Sequence, residues 1–165
     1  MATSISRKTL SLGLADFLAV LFVYMVPTLS HLTSAPLYLL DPMRIAVIGS
    51  LIFTRNWKNS LALALTLPLF SYAVGAHPVM VKSLLIAFEL SANVLLFAGA
   101  SKLLKNKGVA MFASIVFSKV LYYVAKFAVI SSGLLGTSLV STQPWIQACV
   151  ALLLSAGVWL AYRKM

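Results

Sequence analysis

Residues 79–104 read VMVKSLLIAFELSANVLLFAGASKLL. A helix crossing a bilayer needs roughly 20 mostly apolar residues, and this run supplies them. Before Lys102 it contains only two ionisable side chains, Lys82 and Glu89. Lys82, Glu89 and Asn93 are offset by seven and four, so they share one face of the helix. A charged stripe inside an apolar helix has no place on a lipid-facing surface. It points to the interior of a helical bundle.

The rest of the chain repeats the pattern. Comparable apolar runs cover about 10–26, 42–54, 60–76, 109–130 and 145–162. The sequence therefore predicts an all-α polytopic membrane protein, a single domain over residues 1–165 built from six transmembrane helices. Composition agrees: 61% of residues are hydrophobic and 10% charged, against about 25% charged in a soluble domain. So apolar a chain has no soluble core large enough to hide its surface. The first run is as long as the later ones and lacks a small-residue cleavage site, so it reads as a span rather than a signal peptide.

The net charge of +10 suggests an acidic partner until the charges are placed. Arg7 and Lys8 precede helix one, Arg55 and Lys58 join helices two and three, Lys102, Lys105 and Lys107 join four and five, and Arg163 and Lys164 follow helix six. All nine fall on one side of a six-span topology. The positive-inside rule makes that side, with both termini, cytoplasmic. These charges specify topology and do not indicate nucleic-acid binding. Two connections are longer, 28–41 and 131–144. Both are apolar, and they suit either lids folded over the membrane face or interfacial loops.

Four basic residues remain: Arg44, Lys82, Lys119 and Lys126. Helix five carries Lys119, Tyr122, Tyr123 and Lys126 as a second stripe. At 1.5 Å per residue, Glu89 and Lys119 each lie about 15 Å below the outer end of their helices, an expected ion pair at mid-membrane. Lys82 and Lys126 lie about 6 Å below the outer surface. This predicts an outward-facing cavity with Glu89 and Lys119 as its floor. Lys82, Lys126 and Arg44 form its cationic upper wall, and Asn93, Tyr122, Tyr123, Tyr72, Trp145 and Gln147 are at depths to line it. Such a cavity suits a small amphipathic anion, because apolar walls hold the body and a few polar groups fix its orientation. The alternative is that the lysines snorkel to the interface above a structural pair.

Asp16, in the inner half of helix one, suits either a proton relay or, preferably, a pair with Lys8. His31 and His77 lie at the outer edge. One cysteine, Cys149, excludes an intrachain disulfide. No cluster has metal-ligand spacing, no phosphate-cradling glycine loop is present, and no serine–histidine–aspartate set can be assembled. No enzyme activity, metal or cofactor is expected, and ATP hydrolysis would need another protein.

Ser11, Ala15 and Ala19 recur every four residues on helix one. Small residues at this spacing let another helix approach closely in lipid. Six short spans, both termini inside, a chain of this length and the Ala15–Ala19 pair resemble the substrate-binding S components of energy-coupling factor (ECF) vitamin transporters. The compact turn and proline-led helix within Asp41–Leu104 resemble them too. The resemblance implies capture of a vitamin from outside, in the cytoplasmic membrane of a bacterium or archaeon. Delivery would then go to a membrane-embedded coupling protein and two ATPase subunits, with Ala15, Ala19 and Ser11 as the docking face. It implies a ligand site in the outer half, on helices four to six, capped by the loop between helices one and two. Membrane lipid is the other expected partner. Eight glycines are few for several branches of that family, and Asp16 inside the docking stretch departs from it. Three other readings compete. A solitary proton-coupled carrier would use Asp16 and Glu89, but usually shows internal repeats, which are absent here. A membrane scaffold would leave the lysine stripes unexplained, and an intramembrane lipid enzyme lacks a nucleophile.

Overall fold

The computed structural model describes residues 7–34, 36–75, 78–140 and 142–163, without the side chains of residues 7–9, 11, 38 and 75. Every regular element among them is helical. The helices are α1 (Arg7–Thr33), α2 (Pro42–Thr54), α3 (Trp57–Gly75), α4 (Met80–Leu103), α5 (Lys107–Ser131) and α6 (Pro144–Arg163), with a short 3-10 helix, Leu37–Leu40, before α2. Four are long and apolar enough to cross a membrane: α1 from Leu12, α4, α5 and α6. The chain is thus a helical membrane protein. Helix α3 falls outside that group because it opens on Trp57-Lys58-Asn59 and carries Pro68.

Local chemistry sets the helix ends. Proline leads α2 and α6, where its missing N–H costs no hydrogen bond. The Asn106 side chain caps α5 by accepting from the N–H groups of Gly108 and Val109. The turn between α2 and α3 closes with Arg55 in the left-handed conformation, while Asn56 Oδ1 accepts from the Lys58 N–H. Helix α1 differs from expectation. It continues through Pro27 to Thr33, so residues 28–33 are helix rather than loop. In lipid the cost of leaving a helix is high, and an internal proline is tolerated.

The helices pack in chain order, α1 on α2, α2 on α3, and so on to α6, which returns to touch α2. Helix α2 is therefore central. Its Ala46 and Val47 join Ala19, Leu63, Ala64, Leu67, Leu90 and Val94 in one buried cluster. Its Ile48 and Leu51 join Phe97, Ala110, Met111, Ile115, Ala151 and Val158 in another. With only 13 residues, α2 is about 20 Å long, short of the ~30 Å hydrocarbon thickness. Its N-terminus meets α4 and α5 near their midpoints, at Glu89 and Lys119. Beyond it lies only the short 3-10 helix among the described helices, and that element touches α1 and α6.

Candidate functional site

The space left by the short helix is a cavity of about 450 Å³, inside the range of small-molecule sites. Its floor is a network of four charges. Arg44 donates to Glu89 Oε1, and Arg44 Nε lies 3.1 Å from Asp41 Oδ2. Lys119 Nζ lies 3.1 Å from Glu89 Oε1 and 3.6 Å from Asp41 Oδ2. Each carboxylate thus serves both cations. Arg44 and Glu89 are buried, whereas Asp41 and Lys119 are partly open to the cavity. Desolvation makes a lone charge here very costly, and the two-by-two arrangement offsets that cost.

Two further cations line the cavity, Lys82 from α4 and Lys126 from α5. Lys126 is only 1% exposed, and its Nζ donates to the Leu139 carbonyl at 2.9 Å. Lys119 and Lys126 both approach the Tyr122 ring, at 5.9 and 5.8 Å from its centroid. Tyr122 stands edge-on to Tyr123. Gln147 Nε2 donates to the Tyr123 hydroxyl at 2.8 Å and to the Thr142 carbonyl at 2.7 Å. These bonds draw the α5–α6 connection against the cavity, where Leu139 and Thr142 form part of its wall. Leu39 of the 3-10 helix forms another part. Both long connections therefore border the cavity.

The structure brings together Arg44, Lys82, Glu89, Lys119, Tyr122, Tyr123, Lys126 and Gln147. It corrects four expectations. Arg44 belongs to the floor, paired with Glu89, because α2 begins at mid-depth rather than at the outer surface. Asn93 lies outside the cavity wall, where its amide donates to Ser114 Oγ at 3.0 Å and ties α4 to α5. Trp145 is 65% exposed and bonds Gln143 instead. Tyr72 is exposed on α3. Depth fixes the level of a residue along a helix but not the direction it faces.

Asp41 is the residue the sequence reading missed. In sequence it marks only the end of a loop, yet it completes the floor. An Asp-Pro pair at a helix start with arginine three residues on is a local signal for this contact, since i and i+3 side chains meet.

At the other end of the bundle, Asp16 accepts from Asn59 Nδ2 at 2.7 Å; the Lys8 side chain expected there lies outside the described residues. Ala19 is buried against α2 and α3 in the first core cluster, and Ala15 is half-buried. The small-residue stripe thus packs within the bundle, while the Ser11 side chain is outside the described residues. His31 is exposed and does not line the cavity, and His77 lies outside the described residues. Among the described residues no group of histidine, cysteine and carboxylate side chains is placed to hold a metal. Compared with known proteins, the chain matches no family model, no curated protein and no solved structure.

Proposed function

We propose that this chain is the substrate-binding subunit of an ATP-driven uptake system of the ECF kind. It would be a six-span protein with both termini at the cytoplasmic face, and its cavity would capture a vitamin or similar small amphipathic anion. One observation carries the reading. The cavity wall holds four cations, Arg44, Lys82, Lys119 and Lys126, but only two carboxylates, Asp41 and Glu89. Among the described residues the wall thus carries a net positive charge in a low-dielectric setting, where an entering anion gains far more than it would in water. The tyrosines and Ile86 supply apolar wall for the rest of the ligand.

Topology supports the direction of capture. Among the described residues, Arg55, Lys58, Lys102, Lys105, Lys107 and Arg163 lie at helix ends remote from the start of α2, where the cavity is, and the positive-inside rule would then make the cavity outward-facing. Energy must come from elsewhere, because the sequence has no phosphate-cradling glycine loop. A coupling protein with two ATPase subunits would provide it. With Ala19 packed inside the bundle, docking falls to the outward face of α1, where Leu14, Phe17, Leu18 and Leu21 are exposed. A cytoplasmic membrane of a bacterium or archaeon is the setting this assembly requires.

Native mass spectrometry of the purified protein tests the reading by looking for a co-purified anion. Lys82→Ala and Lys126→Ala each remove one charge-assisted contact, expected to weaken binding about tenfold or more. The double variant should lose the ligand while melting as a folded protein. Full retention by the double variant would remove the anion-binding reading. Steady uptake by the pure chain in liposomes, without any ATPase, would replace the subunit reading with a solitary carrier.

A further inference from the structure

The charged cavity has an apolar neighbour of about 540 Å³. Its wall is built from Val20, Val23 and Tyr24 of α1, Phe70 and Val74 of α3, and Met43 of α2. No charged side chain lines it among the described residues. Pro42, Met43 and Pro78 border both cavities. Across these three residues a cavity lined by four cations and two carboxylates adjoins one whose described lining carries no charge. Tyr24, Phe70 and Val74 are also exposed, so the apolar cavity between α1 and α3 is not closed off by the bundle. Met43 is common to both linings, and an unbranched thioether adapts its shape to its surroundings.

We propose that the ligand is a single-chain anionic amphiphile. Its anionic group, a phosphate or carboxylate, sits beside Lys82 and Lys126. Its apolar tail crosses Met43 between the two prolines and lies in the α1–α3 cavity. The inference rests on the anion-binding reading above and narrows its substrate class. A compact polar solute would use one cavity and leave the other unexplained. A tail long enough to reach both uses the charge asymmetry between them.

The test uses the full chain in phosphatidylcholine nanodiscs. The probes are butyl, hexyl, octyl and decyl phosphates carrying a diazirine at the tail end, with decanol labelled in the same way. The octyl and decyl phosphates are expected to crosslink to α1 and α3 around Val20, Val23 and Phe70. Excess unlabelled octyl phosphate should protect those sites, and Lys82→Gln with Lys126→Gln should suppress the labelling. Affinity should rise about fourfold per methylene until the cavity is full, and Val74→Trp should cut that rise short. Labelling by decanol that equals the phosphates and ignores octyl phosphate would overturn the proposal, because the cavity would then hold bilayer chains. Binding of butyl phosphate with no gain from length and no α1–α3 labelling would overturn it too, while leaving the charged cavity intact. If no alkyl phosphate binds, both this inference and the anion-binding reading fall.

Discussion

Helices α1 and α4 are both apolar enough to cross a membrane, yet they live in different surroundings. In the most apolar window of α1, 11% of residues are buried inside the protein, against 44% in α4. Helix α1 touches its neighbours mainly through α2 and presents Leu14, Phe17, Leu18, Leu21 and Phe22 outward. Helix α4 is gripped on both sides by α3 and α5 and buries Ser83, Glu89, Ser91 and Asn93. Hydropathy alone does not separate the two environments. Polar side chains at helical spacing do, because in lipid they must face protein or water. The comparison sorts the molecule into a polar-cored half that builds the site and an apolar edge that faces lipid or a partner.

The strongest way to break this picture is at Glu89. Glu89→Gln leaves Arg44 and Lys119 with only Asp41 between them, and removing one partner of a buried ion pair costs about 3–5 kcal/mol. The variant should melt far below the parent in detergent, followed by near-UV circular dichroism. Glu89→Leu with Lys119→Leu removes opposite charges together and keeps the Asp41–Arg44 contact, so it should recover much of the loss. A Glu89→Gln protein that melts like the parent would mean that the network is hydrated, and the polar-cored half would lose its defining feature.

The contact of α5 with α6 comes next. A Cβ on Gly108 would lie 2.7 Å from Trp159 Cβ and 3.0 Å from the Ser155 carbonyl. Neither atom is the loose end of a side chain, so the helices themselves would have to separate. Gly108→Ala is expected to cost about 1–3 kcal/mol as overpacking, read as a lower melting temperature. Asn93→Ala should cost less. It removes the amide bond to Ser114, and interhelical hydrogen bonds in membranes contribute about 0.6–2 kcal/mol. Ser114 keeps its bond to the Met111 carbonyl, so no buried hydroxyl is stranded. A loss as large as that of Glu89→Gln would show that Asn93 holds up the charged floor and not only the α4–α5 contact.

How much of this was legible beforehand follows from the kind of information a sequence carries. Period and depth gave the Glu89–Lys119 pair, because α4 and α5 are long, regular and adjacent. Depth misjudges Arg44, because it assumes that each helix starts at the membrane surface, and α2 starts level with the midpoints of α4 and α5, behind Asp41-Pro42. The same assumption hid Asp41, whose role depends on a connection that dips inward. Trp145 and Tyr72 were at the right level but on the wrong side of their helices. The azimuth of a helix is set by packing partners, and one sequence does not say who those partners are. The apolar α1–α3 cavity had no signal at all, since its lining residues look like ordinary lipid-facing side chains.

That ambiguity makes α1 the place of the smallest expected effect on stability and the sharpest test of the apolar edge. Phe17 is 63% exposed and Leu14 57%, so Phe17→Ala and Leu14→Ala remove side chains that touch little of the bundle. Substitutions away from packed features usually change stability by within about 0.5 kcal/mol, and the melting temperature in detergent should hardly move. Uptake by the complete system in cells should fall if α1 presents this face to a coupling protein, because the two side chains would then sit in an interface. Unchanged melting with unchanged uptake would leave α1 facing only lipid. A marked drop in melting would mean that the isolated protein already covers this face with a second copy, and the contrast between α1 and α4 would then belong to the monomer alone.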